Sequence, residues 1–276
     1  MSIDRPGDEY LSREILRHGA YLCIRPRPGA DRRALAEAPI ETWAARFGLA
    51  NEFIAAGGTP AGAVAFLHRR AAVSGGISDD ALEQAGAVIH VASKRAEPVE
   101  GFCAEAGRLL APLAEVRVLG GVVRPRNYSG AAMEKFAYAR AVTQQPGTAM
   151  PNAFLIPMSK TAEWWAKGWM ERHTYFLPHY DDDGRLRAEG HALVAEDGIP
   201  CIVRRTYHAP AQPAPAGAYD FVTYFECADA DLPVFEKVCA GLRDVTRNPE
   251  WRFVREGPTW QGRRVATWAD AVDPRG

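Results

Sequence analysis

The stretch Lys160-Thr161-Ala162-Glu163-Trp164-Trp165-Ala166-Lys167-Gly168-Trp169-Met170-Glu171-Arg172-His173-Thr174-Tyr175-Phe176-Leu177-Pro178-His179 carries more information than any other part of the chain. Its spacing predicts a helix from Thr161 to about Leu177. Residues 165, 169, 172, 176 and 179 follow at intervals of four, three, four and three, which is one helical face. Two tryptophans, an arginine, a phenylalanine and a terminal histidine stand on it. Flat apolar rings beside an imidazole suit the proximal side of a haem, where the rings exclude water and a nitrogen ligates iron. The same stripe also reads as a core-facing helix ending in a hydrogen-bonded histidine, and the helix alone does not separate the two. Pro178 lacks a backbone donor and ends or kinks the helix just before His179.

Outward from this stretch, the chain alternates apolar runs and helical patterns twice. Strands are expected at Gly19–Arg25, Ala63–Leu67, Ala87–Ala92 and Val116–Val123, and helices at residues 32–57 and at Glu97–Leu113. A second set follows. Strands are expected at Ala153–Met158, Ile199–Tyr207, Asp220–Cys227 and Trp251–Glu256, with a helix at Leu232–Val245 and a proline-rich loop at Ala209–Gly217. The segment Ala131–Gly147 fits neither pattern. Two α+β units sharing a sheet-based core account for the recurrence.

Composition excludes several classes of function. Over 276 residues, 33 basic side chains nearly balance 34 acidic ones, which argues against nucleic-acid or membrane-surface binding driven by net charge. The five cysteines show no CxxC spacing, so neither a disulfide framework nor a zinc site is expected. No apolar run reaches the roughly 18 residues of a membrane span, and the polar start lacks a signal-type core. A reducing, cytoplasmic setting is the expectation.

Lys160-Thr161-Ala162-Glu163-Trp164-Trp165, followed by Glu171-Arg172 and His179, resembles the haem-binding segment of the chlorite dismutase family. The likeness extends to Arg204-Arg205-Thr206-Tyr207-His208, to Asp220-Phe221-Val222-Thr223-Tyr224-Phe225-Glu226 and to Gly257-Pro258 through Gly262. Upstream, it includes Gly121-Val122-Val123-Arg124-Pro125-Arg126-Asn127-Tyr128. It covers residues 120–264 well and the first 115 weakly.

The resemblance implies an α+β chain of two ferredoxin-like halves, residues 1–148 with an N-terminal arm and residues 149–276 with the haem, forming a dimeric α+β barrel within one subunit. It implies haem b, with His179 as the axial ligand of iron and Trp164 and Trp165 lining the proximal side. Lys160, Asn127 and Tyr128 are expected near the propionates. On a strand Ile202, Arg204 and Thr206 share one face, and Val203, Arg205 and Tyr207 the other. The resemblance implies Arg204, with Thr223 beside it, as the distal catalytic residue, holding an anionic oxidant and the hypochlorite left after oxygen transfer. The implied activity is that of a haem-dependent oxidoreductase converting chlorite to chloride and dioxygen. Two alternatives stand beside it: a family member acting on peroxide or an organic substrate, and a haem-binding protein without turnover. The family also implies self-association, with a pentamer favoured and a dimer or hexamer open.

The sequence departs from the family pattern in places. Ile156 stands where a coproheme-decarboxylating branch has a tyrosine, which disfavours decarboxylation. The segment between His179 and Arg204 is about a dozen residues longer than the pattern, and contains Asp181-Asp182-Asp183-Gly184, read as a turn, and a further histidine, His191. The carboxylate that supports the axial histidine is not cleanly placed: Asn248 falls at the expected position and Glu250 two residues on.

Overall fold

A computed structural model describes residues 16–52, 61–123 and 150–273. The first half contributes β1 (His18–Pro26), β2 (Ala50–Asn51), β3 (Gly62–Val73), β4 (Ala87–Ser93) and β5 (Ala114–Val122). Its helices are α1 (Arg32–Ala36), α2 (Ile40–Arg46), α3 (Asp80–Glu83) and α4 (Ala96–Leu110). The second half begins with β6 (Asn152–Lys160), α5 (Ala162–Ala166) and α6 (Trp169–Thr174). A small hairpin, β7 (His179–Tyr180) with β8 (Leu186–Ala188), and α7 (Gly190–Val194) come next. The rest is β9 (Val203–His208), β10 (Phe221–Cys227), α8 (Leu232–Arg243), β11 (Val254–Glu256), β12 (Thr259–Val265) and α9 (Trp268–Val272).

Strand pairing explains the twofold rhythm of the sequence. In the first half the spatial order is β5-β1-β4-β3, and in the second β12-β6-β10-β9. Numbered within its own half, each reads 4-1-3-2 with helices in the crossovers, which is the ferredoxin-like βαββαβ arrangement. β12 joins the halves by pairing with both β3 and β6, and the contact of Val122 with His208 joins them on the other side. β10 pairs with β6, so eight strands close into a barrel. The chain is an α+β protein.

Alternation along the strands sorts side chains between the barrel interior and the helix-covered outside. Tyr21, Val88, Leu155, Tyr207, Val222, Tyr224 and Trp260 fill the interior. On the outside of the first half Leu22, Ile24, Phe66 and Ile89 pack against Leu35 of α1, Ile40 and Ala44 of α2, and Phe102 and Leu110 of α4. α4 buries Val99, Phe102, Ala106 and Leu110, a stripe at helical spacing. Trp268 of α9 comes from the far end of the chain to join this core, donating its indole N–H to Leu35 O at 2.7 Å.

Several elements differ from their expected form; the strand expected at Trp251–Glu256 starts as a 3₁₀ turn and is β11 only from Val254, and the strand expected from Ile199 starts at Val203. Of the helix expected over 32–57, the described residues form α1 and α2, interrupted at Pro39; α2 ends at Arg46 and the chain turns at Gly48, whose φ of +69° a side chain resists, while residues 53–57 lie outside the described residues. The helix expected from Thr161 to Leu177 is α5 and α6, separated by extended Lys167 and Gly168. Thr161 caps the first piece, and neither piece is long enough to sustain itself without tertiary packing. The closing turn expected at Gly257–Gly262 gives way at Thr259 to β12, in which Trp260 and Arg264 are buried in the barrel. The expected division at 148/149 and the segment Ala131–Gly147 fall at or outside the limits of the described residues.

Candidate functional site: a histidine and an arginine across one cavity

On the second half the outer faces of β6, β9 and β10 stand beneath α7 and α8, enclosing a cavity of about 150 Å³. The strands present Ile156, Met158 and Lys160, then Arg204, Thr206 and His208, then Phe221, Thr223 and Phe225. The helical wall adds His191, Ile199, Val238 and Leu242, and the 3₁₀ turn Pro249–Phe253 adds Glu250. A groove of about 770 Å³ lies alongside and shares Ile156, Cys239, Arg243 and Glu256 with the cavity. The smaller space alone is below the roughly 300–1,000 Å³ of pockets that take cofactor-sized ligands, and the groove is within that range.

A buried ionic chain ties the strand wall to the helical wall. Glu250 accepts from Lys160 Nζ through Oε1 and meets His191 Nδ1 at 2.9 Å through Oε2. Burial alone would raise the Glu250 carboxyl, but the Lys160 ammonium and His191 outweigh it and hold the carboxyl down at about 2. The glutamate is therefore an anion, and Nδ1 of His191 serves as the donor. A carboxylate on one ring nitrogen fixes the tautomer and makes the other nitrogen a better ligand. Lys160 also lies 4.4 Å from the centroid of the Trp164 ring, which shields the pair from water.

Local structure sets His191 in place. Glu189 and Gly190 donate their backbone N–H groups to Arg247 O at 2.9 and 3.0 Å, and the Glu189 carboxylate takes both arms of the Arg247 guanidinium. Gly190 has φ +69°, and a Cβ there would come within 2.2 Å of Leu177 O. Asn248, fully buried, donates to Leu242 O at 2.8 Å and so fixes the turn that leads into Glu250. Asn248 stabilises the approach; Glu250 makes the contact with a histidine.

Across the cavity stands Arg204. No carboxylate of the described residues pairs with it, whereas its neighbour Arg205, on the inner face of β9, lies 3.8 Å from Glu52. Thr206 and Thr223 place their hydroxyls 3.4 Å apart on the same wall. The arrangement is a cation and two hydroxyls facing an imidazole, with apolar side chains between.

The structure thus brings Lys160, Arg204 and Thr223 to one cavity, and leaves other expected residues outside it. His179 lies in the β7–β8 hairpin, its Nε2 3.0 Å from Thr174 O, and does not line the cavity. The reason is the break at Gly168: without a continuous helix, residues 165, 169, 172, 176 and 179 share no face. Trp164 packs with Phe176 and Phe253 behind Lys160, and Trp165 donates its indole N–H to Asp220 at 3.2 Å. Trp169, expected on the apolar face, is 60% exposed. Asn127 and Tyr128 lie outside the described residues. His191 and its pairing with Glu250 were not anticipated. The spacing of His191, Val194, Ala195 and Gly198, one face of a short helical segment, was the available signal.

Solved structures share this architecture over nearly the whole chain. A double variant of the chlorite dismutase of Candidatus Nitrospira defluvii superposes with a TM-score of 0.64 at 17% identity, covering 95% of this chain and 96% of that one. The same enzyme in complex with imidazole gives 0.64 at 19% identity, covering 96% and 97%. A putative chlorite dismutase gives 0.59 at 15% identity, covering 93% and 97%. The chain has the chlorite dismutase fold. No family sequence model and no curated protein matches it by sequence. On this fold the chain gathers His191 and Glu250 from the helical side and Lys160 and Arg204 from the strands around one cavity. Among the described residues no helix is long and apolar enough to cross a membrane, and no three His, Cys, Asp or Glu side chains are grouped to hold a bare metal ion.

Proposed function

We propose that the chain is a haem-dependent oxidoreductase of chlorite dismutase type, with His191, and not His179, as the axial ligand. The observation that carries this reading is the buried Lys160–Glu250–His191 chain lining the same cavity as Arg204. A single histidine backed by a carboxylate suits haem better than a bare ion, which needs several protein ligands. Cavity and groove together supply the room. Haem b, when bound there, would supply an iron able to take an oxygen atom from an oxyanion.

The protein residues then have defined tasks. His191 offers Nε2 while Nδ1 is held by Glu250, and Lys160 keeps Glu250 ionised. Arg204 binds the chlorite anion from the opposite wall and retains the anion left after oxygen transfer, so that chloride and dioxygen are the products. Thr206 and Thr223 help orient it, and Met158, Phe221 and Phe225 keep bulk water away. The cavity-facing residues of β6 are Ile156, Met158 and Lys160, so that strand offers no phenol there for decarboxylation. Self-association accompanies this reading, and Trp169, Met170, Tyr180 and Leu186 supply exposed apolar surface for it.

The test is oxygen release from chlorite by haem-loaded protein at an oxygen electrode. Release abolished by omitting haem is the expected result. A haem-loaded protein that releases no oxygen removes the chlorite reading, and leaves peroxide or an organic molecule as the substrate, or haem binding without turnover.

A further inference from the structure

The barrel interior holds a second group of reactive side chains, on the opposite face of the strands that line the cavity. Tyr21, Tyr207, Tyr224 and His90 are all buried. Their rings touch in sequence: Tyr21 lies 4.6 Å from His90, 5.5 Å from Tyr207 and 5.4 Å from Tyr224, centroid to centroid. Tyr224 donates its hydroxyl proton to the Glu226 carboxylate, which also meets Arg264 at 3.3 Å. Thr223 and Phe225, the residues on either side of Tyr224, both face the cavity.

We propose that Tyr224, with Glu226 as its proton acceptor, is the one-electron donor to a hydroperoxide-oxidised haem in the neighbouring cavity, so that one oxidising equivalent is held as a radical in the barrel interior. This rests on the haem reading above. A hydroperoxide is the oxidant: its O–O bond breaks as it takes two electrons from the haem and two protons from solvent, and it leaves as one alcohol and one water, or as two waters where it is hydrogen peroxide. One electron passes from the Tyr224 ring to the oxidised haem. The phenolic O–H bond breaks, and its proton crosses the existing hydrogen bond to Glu226. A neutral phenoxyl radical and a neutral carboxylic acid result, and the haem is reduced by one electron.

The surroundings select this pair. Burial keeps the Tyr224 phenol protonated far above its ordinary range, so electron loss needs a partner for the proton. His90 is a poor partner for Tyr207. Its Nε2 accepts from Tyr207 at 2.9 Å and from Arg205 at 3.2 Å, and a protonated ring would stand against that guanidinium. Glu226 meets a better balance, because Arg264 retains Glu52 at 3.7 Å as a counter-charge once Glu226 is neutral. Burial raises the Glu226 carboxyl to about 7, and Arg264 offsets this only in part, so the carboxylate is a competent base. Tyr21 and Tyr207, in ring contact, can share the radical.

The experiment is freeze-quench electron paramagnetic resonance on haem-loaded protein mixed with a stoichiometric hydroperoxide. A tyrosyl signal that changes line shape in protein grown on ring-deuterated tyrosine is expected. Tyr224→Phe should lose it while keeping the haem absorption band and the circular dichroism of the fold. Tyr21→Phe should keep a signal. A line shape indifferent to tyrosine deuteration places the radical on another residue and overturns the proposal, as does a full signal in Tyr224→Phe. Wild type with a haem band but no radical refutes this proposal alone. Wild type with no haem band refutes the haem reading, and this proposal falls with it.

Discussion

Replacing Glu250 by glutamine separates the site's two dependencies, one on folding and one on haem. The wild-type carboxylate faces Lys160 Nζ on one oxygen and His191 Nδ1 on the other, with only 5% of the glutamate and 3% of the lysine side chain exposed. An amide leaves the ammonium without a counter-charge in a place water does not reach. Losing one partner of such a pair costs about 3–5 kcal/mol. Lys160→Met should cost a similar amount, and the double variant less than the sum, with a coupling of roughly 0.5–3 kcal/mol. Urea unfolding of haem-free protein measures this, and the midpoint should fall with the slope unchanged. In the haem-loaded protein Glu250→Gln should also weaken haem affinity, by about 10–100-fold. Asp197→Asn, which breaks an exposed pair with Lys237, is the control and should leave the midpoint where it is. A cost below about 1 kcal/mol, the level of a surface pair, or strict additivity with Lys160→Met, would refute the reasoning.

Other perturbations reach different parts of the account. Folding raises Glu226 from an ordinary 4.5 to about 7, so the native state holds a proton that the unfolded chain releases between those values. Its stabilising contribution, about 3 kcal/mol, is full below about pH 4.5 and lost as pH rises through about 7. His90, kept neutral by burial and by Arg205 and Arg264, has the opposite effect below its ordinary 6.5, so wild type must be compared with Glu226→Gln. The stability of wild type relative to that variant should decline across the window; a constant difference contradicts the assignment. Arg204→Ala should keep the haem band and reduce oxygen release from chlorite by about 10²-fold, and unaltered release would remove Arg204 from the reaction. Gly190→Ala forces a side chain into a left-handed backbone and against Leu177 O, costing at least about 1–3 kcal/mol. Thermal unfolding should show the loss, and an unchanged midpoint would mean that α7 is not anchored as described.

Much of the second half was legible because its strands alternate cleanly. Arg204, Thr206 and Arg205, Tyr207 fall on the faces that simple alternation assigns, and Thr223 stands where a neighbouring strand should place it. Position 179 was placed on the helical face because periodicity was carried through Lys167-Gly168, where the backbone turns extended and the helix divides. Once the helix divides, position 179 belongs to a hairpin, and the extra residues bring His191 to the wall instead. Its partnership with Glu250 joins residues 59 positions apart, which no local pattern encodes. β12 was missed for a related reason. Gly262, Arg263 and Arg264 look like a polar turn, yet Arg264 is buried because Glu226 and Glu52 await it inside the barrel. The same interior pairing hides the tyrosine group, whose members come from β1, β9 and β10.

Haem titration of three proteins, followed by the visible absorption band of the bound cofactor, tests the central claim most directly. Wild type and His179→Ala should each bind one haem per chain with the same spectrum, since His179 lies outside the cavity. His191→Ala should lose that spectrum, and added imidazole should restore it by replacing the missing ring. A His191→Ala protein with the wild-type spectrum, or a His179→Ala protein that has lost it, would contradict the account.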